Sequence, residues 1–218
     1  AHELFCEMKE VASRPGIYKV WKWIERHTVP YFPLGYTVNQ PIAEELHIMY
    51  GVDYGIIRNV PFADTEPPIP PEKKTERYLL YQGSVNEGRS FETLLPAMQW
   101  VDAPLIICGD GNFMDNARQI VKQHKLEERV IFKGKIVPAD LRTYTRHAWA
   151  GITLFDKQGK SNYFSLANRF FDYVQAGIPQ LCIAFPVYEE INRSFPVALL
   201  TNDPSPKALA EQLNLLLH

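Results

Sequence analysis

TERYLLYQGSVNEGRSFETLLPAMQWVDAPLIICGDG, residues 75–111, holds two short apolar runs, YLLYQ and PLIIC, each closed by glycine and each followed by a segment of helical period. The pattern repeats downstream, with RVIFKG at 129–134, AGITLF at 150–155 and PQLCIA at 179–184. Short, continuously apolar strands that alternate with helices are the mark of a parallel sheet covered on both faces. The handedness of such crossovers makes the sheet doubly wound, an α/β fold in which ligands bind beyond the carboxyl ends of the strands. Helices are expected where apolar residues recur at three and four: Phe91, Leu94, Leu95 and Met98 behind Ser90 as N-cap, and Leu209, Leu213 and Leu216 near the end.

Upstream, five prolines fall between Pro61 and Pro71, a composition that favours an extended chain over helix or core strand. Residues 61–77 therefore read as an interdomain linker. Before it, Lys19 to His27 and Pro41 to Tyr50 read as helices, and the runs around Thr37 and Ile56 as strands. The expected division is 1–60, the end of one α/β domain, and 78–218, a complete second one.

Bulk properties narrow the function. The 218 residues carry 23 Lys and Arg against 25 Asp and Glu, a formal charge of -2, so there is no basic field for nucleic-acid phosphates and no nucleic-acid partner is expected. Three cysteines without C-x-x-C spacing, two of them inside apolar runs, point to a reduced, cytoplasmic location. No apolar stretch is long enough to span a bilayer.

In such a sheet the loops at the carboxyl ends of the strands are the places to look for chemistry. Gly83 to Arg89 is a glycine-bearing loop ending in a cation just before a helix, where backbone N–H groups and a guanidinium can meet a phosphate. Gly109-Asp110-Gly111 again leads into a helix, with small residues that permit close approach of a ligand to backbone. For either loop alone, turn geometry is the better explanation of the glycines. The sharpest segment is NYFSLANRFFDYVQAGIP, residues 162–179. Ser165 is placed to N-cap a helix whose opening amides point at an anion, Asp172 falls one turn after Asn168, and Gly177 with Pro179 ends the helix. One helix thus offers amides to a diphosphate and a carboxylate to sugar hydroxyls, although an isolated aspartate is more often a solvated residue on a helix face.

The string SLANRFFDYVQAGIP closely resembles the SLPNKLFEYMAAGLP helix of GT4 glycosyltransferases (glycosyl transferases group 1), enzymes of GT-B fold. The similarity extends through YQGSVNEGRSFETLLPAM, PLIICGDG and RVIFKGKI in the family's order, and HELF, TVNQPIAEEL and IIRNVPF look like the closing elements of its acceptor domain. The resemblance implies a UDP- or GDP-sugar donor, hexosyl transfer to a glycan or lipid-linked acceptor with retention, no cofactor and no metal. It also implies bacterial-type surface glycan synthesis, and a peripheral membrane contact through the rest of the acceptor domain.

Residue by residue, the resemblance places Arg89 at the phosphate-contacting lysine and Asp172 at the glutamate that binds the donor ribose. Leu166 to Arg169 stand where backbone amides meet the diphosphate, Gly134 to Ile136 where the nucleobase is bordered, and Gly83 where the donor phosphates approach. His2 falls at an active-site histidine of the cleft. Two departures stand out: Ser84 is uncharged where the family has the first of its basic pair, with Arg169 or Lys160 as the available substitutes, and Phe164 occupies the position of the first motif glutamate. Arg89, after the first strand, and Asp172, on a helix expected to open after the fifth, should line one cleft.

Competing readings are weaker. Gly159-Lys160-Ser161 matches the tail of a phosphate-binding P-loop, but the glycine required five residues earlier is Leu154. His2 and Cys6, at i and i+4, lack further ligands for a zinc ion, and no Asp-x-Asp pair exists for a metal-dependent transferase. A nucleotide-binding module without catalysis is the principal alternative.

Overall fold

The computed structural model of the chain describes residues 3–61, 63 and 66–218. Strands in chain order are β1 (Tyr36–Thr37), β2 (Gly55–Ile56), β3 (Leu79–Gln82), β4 (Leu105–Cys108), β5 (Val130–Gly134), β6 (Ala150–Thr153), β7 (Gln180–Ile183) and β8 (Leu199–Thr201). Helices are α1 (Lys9–Ala12), α2 (Pro15–Thr28), α3 (Gln40–Tyr50), α4 (Phe91–Ala97), α5 (Met114–Gln123), α6 (Pro138–His147), α7 (Lys160–Tyr163), α8 (Asn168–Ala176), α9 (Pro186–Ser194) and α10 (Pro206–Leu217). Two compact units result, one of residues 1–60, 156–166 and 185–190, the other of residues 61–155, 167–184 and 191–218.

The larger unit holds a six-stranded, wholly parallel sheet in the order β5-β4-β3-β6-β7-β8. The chain winds outward from β3 to β5, then returns to β6 on the other side of β3, so the strand order reverses between β3 and β6. In a doubly wound sheet that reversal opens a crevice at the carboxyl ends of the two strands. The sequence reading found five of the strands and missed β8, a three-residue edge strand only partly buried.

Alternation along β3 sorts the two faces. Leu80, Ile106 and Cys108 pack with Tyr173, Ala176 and Ile178 under α6 and α8. On the opposite face Tyr81 meets Phe91 of α4 at 4.7 Å, and α4 packs against both α5 and α10. Gln82, two residues after Leu80, therefore faces the α6–α8 side. Helix α8 lies close on the sheet because β6 offers Gly151: a Cβ there would stand 2.4 Å from the Tyr173 ring, whose hydroxyl donates to the Leu80 carbonyl at 3.0 Å.

Several local expectations change. Ser90 does occupy the N-cap of α4, but in a left-handed conformation (φ 57°) and without a side-chain capping bond; its carbonyl takes the amides of Thr93 and Leu94 instead. Gly177 ends α8 in the left-handed conformation as expected. The buried stripe of α10 runs through Leu209, Leu213 and Leu217, with Leu216 at its margin.

In the smaller unit β1 and β2 pair in parallel, and α3 is capped by Asn39, whose side chain accepts from the Ile42 amide. Helix α2 inverts the usual pattern: it buries no residue, and turns Tyr18, Lys22 and Glu25 inward while Val20, Trp21 and Trp23 stay exposed. The inward stripe is held by polar bonds, Lys22 Nζ to Glu7 at 2.8 Å and Tyr50 Oη to Glu25. The three cysteines are free and buried.

Candidate functional site

The loops that follow β3, β4 and β5 are bound to one another by backbone. The Gly83 amide donates to Cys108 O (3.0 Å), Val85 to Asp110 O (3.0 Å), Phe113 to Val85 O (2.9 Å), and Gly109 to Gly134 O (2.8 Å). Asn86 and Asn112 add a reciprocal pair, each side-chain oxygen accepting from a backbone amide of the other loop. This contact explains two of the glycines. A Cβ on Gly109 would lie 1.8 Å from Gly83 O, and one on Gly111 2.2 Å from Asn86 Oδ1 and 2.4 Å from Val85 O. Gly134 has open space at its Cβ position, on a backbone with φ 69°. Ser84 is exposed, and its carbonyl accepts the Tyr81 hydroxyl at 2.7 Å. Ile136 packs partly buried against the core beneath α6 and α8.

Around the crevice between β3 and β6, Gln82 is the hub. Its carbonyl accepts from Arg169 Nη1 at 3.0 Å, its side-chain nitrogen donates to Asp172 Oδ2 at 2.8 Å, and its side-chain oxygen accepts the Thr145 hydroxyl at 2.7 Å. Arg169 is 7% exposed; Nη1 also donates to Tyr81 Oη at 3.1 Å, and the guanidinium lies 4.5 Å from the Tyr81 ring and 5.0 Å from the Phe155 ring. Arg89 sets its guanidinium 4.5 Å from that same Phe155 ring. Arg89 and Asp172 thus reach the carboxyl ends of two paired strands through a chain of contacts that runs over Phe155, Arg169 and Gln82.

Two expectations need correction. Asp172 lies on a helix between the fourth and fifth strands of the sheet, β6 and β7, rather than after the fifth. Ser165 does not cap that helix: the N-cap is Ala167, without a side-chain bond, and Ser165 Oγ is buried without a hydrogen-bond partner. Of the cations named in place of the charge missing at Ser84, Lys160 pairs with Glu45 at 2.8 Å, and Arg169 stands beside the Tyr81 and Phe155 rings. Ser165 and Leu166 fall in the smaller unit, whereas Asn168, exposed at the first position of α8, and Arg169 fall in the larger. His2 lies outside the described residues.

Beside Asp172 is a cavity of about 210 Å³ whose polar lining comes from Gln82, Arg142, Thr145, Arg146, Asp172 and Gln175. Arg146 is paired with Glu66 at 2.7 Å. Burial pushes the Asp172 carboxyl above its usual range, and the Gln82 amide, Arg169 and Arg142 oppose that rise. A half-buried carboxylate flanked by donors and cations is suited to hold paired hydroxyls. Sequence reading missed Gln82, Thr145, Arg142 and Phe155. Only Gln82 left a signal, as the one polar residue of the buried strand LLYQ. No group of side chains able to hold a metal ion occurs among the described residues.

Residues 62–218 match the family described as Glycosyl transferases group 1. No curated protein sequence matches the chain. Among solved structures, a mutant of S. aureus TarM in complex with fondaparinux, alpha-GlcNAc-glycerol and UDP superposes with a TM-score of 0.62 at 13% identity, over 84% of this chain and 36% of that one. Anabaena HepE in complex with UDP and glucose gives 0.63 at 16% identity, over 83% and 53%. WaaG, a glycosyltransferase of lipopolysaccharide biosynthesis, gives 0.64 at 14%, over 84% and 53%. At these identities the likeness is one of fold, α/β of GT-B type, and the chain spans about half or less of each of those proteins. With the family match covering the whole six-stranded sheet, the chain belongs to the glycosyl transferases group 1 family.

Proposed function

We propose that the larger unit binds the nucleotide-sugar donor of a GT4-type glycosyltransferase, one that moves a hexosyl group from UDP- or GDP-sugar to a glycan or lipid-linked acceptor. Transfer proceeds with retention and without metal, in cytoplasmic synthesis of a surface glycan, and residues 1–60 serve as the end of the acceptor domain. No helix among the described residues is long and apolar enough to cross a membrane. The observation that carries this reading is the juxtaposition at the β3–β6 reversal of a half-buried carboxylate, Asp172, with Arg89 and Arg169. Asp172 accepts the ribose hydroxyls. Arg89 and the opening amides of α8 face the diphosphate, where negative charge grows as the glycosidic bond breaks. The UDP complexes of TarM and HepE support the donor class.

The test is a thermal-shift screen of this chain with UDP, GDP and their hexose conjugates, with and without EDTA. A ligand at about 100 times its Kd adds about 2.7 kcal/mol, which for a chain of this size is a rise of roughly 5–10 °C. That rise, unchanged by EDTA, is expected for at least one nucleotide. No shift with any of them, or a shift that EDTA abolishes, would count against the reading.

A further inference from the structure

We infer that Gln82 is a positioning residue for nucleotide recognition: clamped by Thr145, it fixes the Asp172 carboxylate in the orientation that receives the donor ribose. The inference rests on the donor-site reading above and adds a residue to it. Gln82 is 4% exposed, at the last position of β3, beside the reversal of strand order. Both ends of its amide are used, toward Thr145 on α6 and Asp172 on α8.

The direction of the amide follows from charge. Turned over, its oxygen would face the carboxylate, acceptor against acceptor, so the nitrogen must point to Asp172 and the oxygen to Thr145. The Thr145 hydroxyl, whose one proton is shared with Leu141 O at 2.9 Å, then serves that oxygen as donor and holds the amide from the far side. The terminal torsion of an aspartate is broad and soft, and Arg142 and Arg169 both attract its carboxylate. One bond from a buried, clamped amide selects a single rotation. It occupies one of about four lone-pair positions and leaves the others for a cis-diol.

The same amide favours the charged form of the carboxylate. Burial raises the Asp172 pKa and the Gln82 N–H opposes it. The other charged groups facing this carboxylate are Arg142 and Arg146 from α6 and Arg169 from α8 itself; β6, also packed on α8, carries no titratable side chain. Without the Gln82 amide one of the groups that oppose the rise is gone, so the Asp172 carboxyl lies higher still and its charged form, the better acceptor of hydroxyls, is less favoured.

The experiment is calorimetric titration of the wild-type chain, Gln82→Met, Thr145→Val, Asp172→Asn and the Gln82→Met/Asp172→Asn double variant. The ligands are UDP, GDP and the 2′,3′-dideoxy analogue of whichever binds. Gln82→Met should weaken the ribonucleotide roughly fivefold to tenfold and leave the dideoxy analogue unchanged. Its loss should shrink as pH rises, and the double variant should bind no worse than Asp172→Asn, because both act through one carboxylate. Thr145→Val should show a smaller loss with the same selectivity, which keeps the test open should Gln82→Met unfold. Equal losses for the two ligands, or additive losses in the double variant, would overturn the positioning role while leaving the donor site standing. A wild-type chain that binds neither UDP nor GDP overturns both.

Discussion

Gly109→Ala probes the contact that ties the loops around the crevice together. Gly109 has φ 155°, and a methyl there would sit 1.8 Å from Gly83 O and 2.8 Å from the Gly83 carbonyl carbon. Backbone, not a flexible side-chain end, is the obstacle, so the loops must part by more than an ångström. That motion breaks the bonds Gly83 N to Cys108 O and Gly109 N to Gly134 O. Two buried backbone bonds at about 1 kcal/mol each, with about 1–2 kcal/mol of backbone strain, give a loss of about 3–4 kcal/mol. For a chain of this length that lowers Tm by roughly 6–16 °C. The assay is calorimetric melting beside Gly16→Ala, a helical glycine whose Cβ meets nothing within 4 Å and whose substitution should leave Tm unchanged or raised. If Gly109→Ala melts within about 2 °C of wild type, the close approach of the loops is refuted.

Asp172→Asn should stabilise the unliganded chain while it removes most nucleotide affinity. Because the folded pKa is raised, the unfolded chain ionises first as pH rises, and stability falls until the folded carboxyl ionises too. The gain of the asparagine variant is therefore present at pH 7 and absent below the usual aspartate pKa, as melting across pH would show. If the proposed transfer activity is measured, Arg89→Ala should lower kcat by roughly 10²–10³-fold with a much smaller change in donor affinity, because its charge acts on the departing diphosphate. Burial pushes the Cys6 thiol up to about 12 and Cys108 to about 11, and Cys182 well above its usual value. All three should resist a thiol-reactive disulfide at pH 8 in the folded chain and react on unfolding.

What the sequence disclosed was whatever depends on local periodicity. The strands LLYQ, LIIC, VIFKG, AGIT and QLCI and the helices after them were legible because a buried parallel strand needs a continuous apolar run. The edge strand Leu199–Thr201 was hidden among prolines and polar residues. Helix α2 was found, but its orientation was not: Lys22 and Glu25 face inward because Glu7 and Tyr50 wait for them there, partners distant in sequence. At the site, the turn glycines and Asp172 stood out by type and position. The roles of Thr145 and Phe155 could not, since a threonine in a helix and a phenylalanine after a strand acquire meaning only from what folds against them. Ser165 shows the converse, a residue of the right type set too early in the chain to cap α8.

The most direct measurement is a crystal structure of this chain with UDP or GDP. The ribose hydroxyls are expected on the Asp172 carboxylate, with Gln82 still bonded to Oδ2, and the diphosphate between Arg89 and the first amides of α8. A nucleotide bound away from the β3–β6 crevice, or with its ribose out of reach of Asp172, would contradict the proposed donor site.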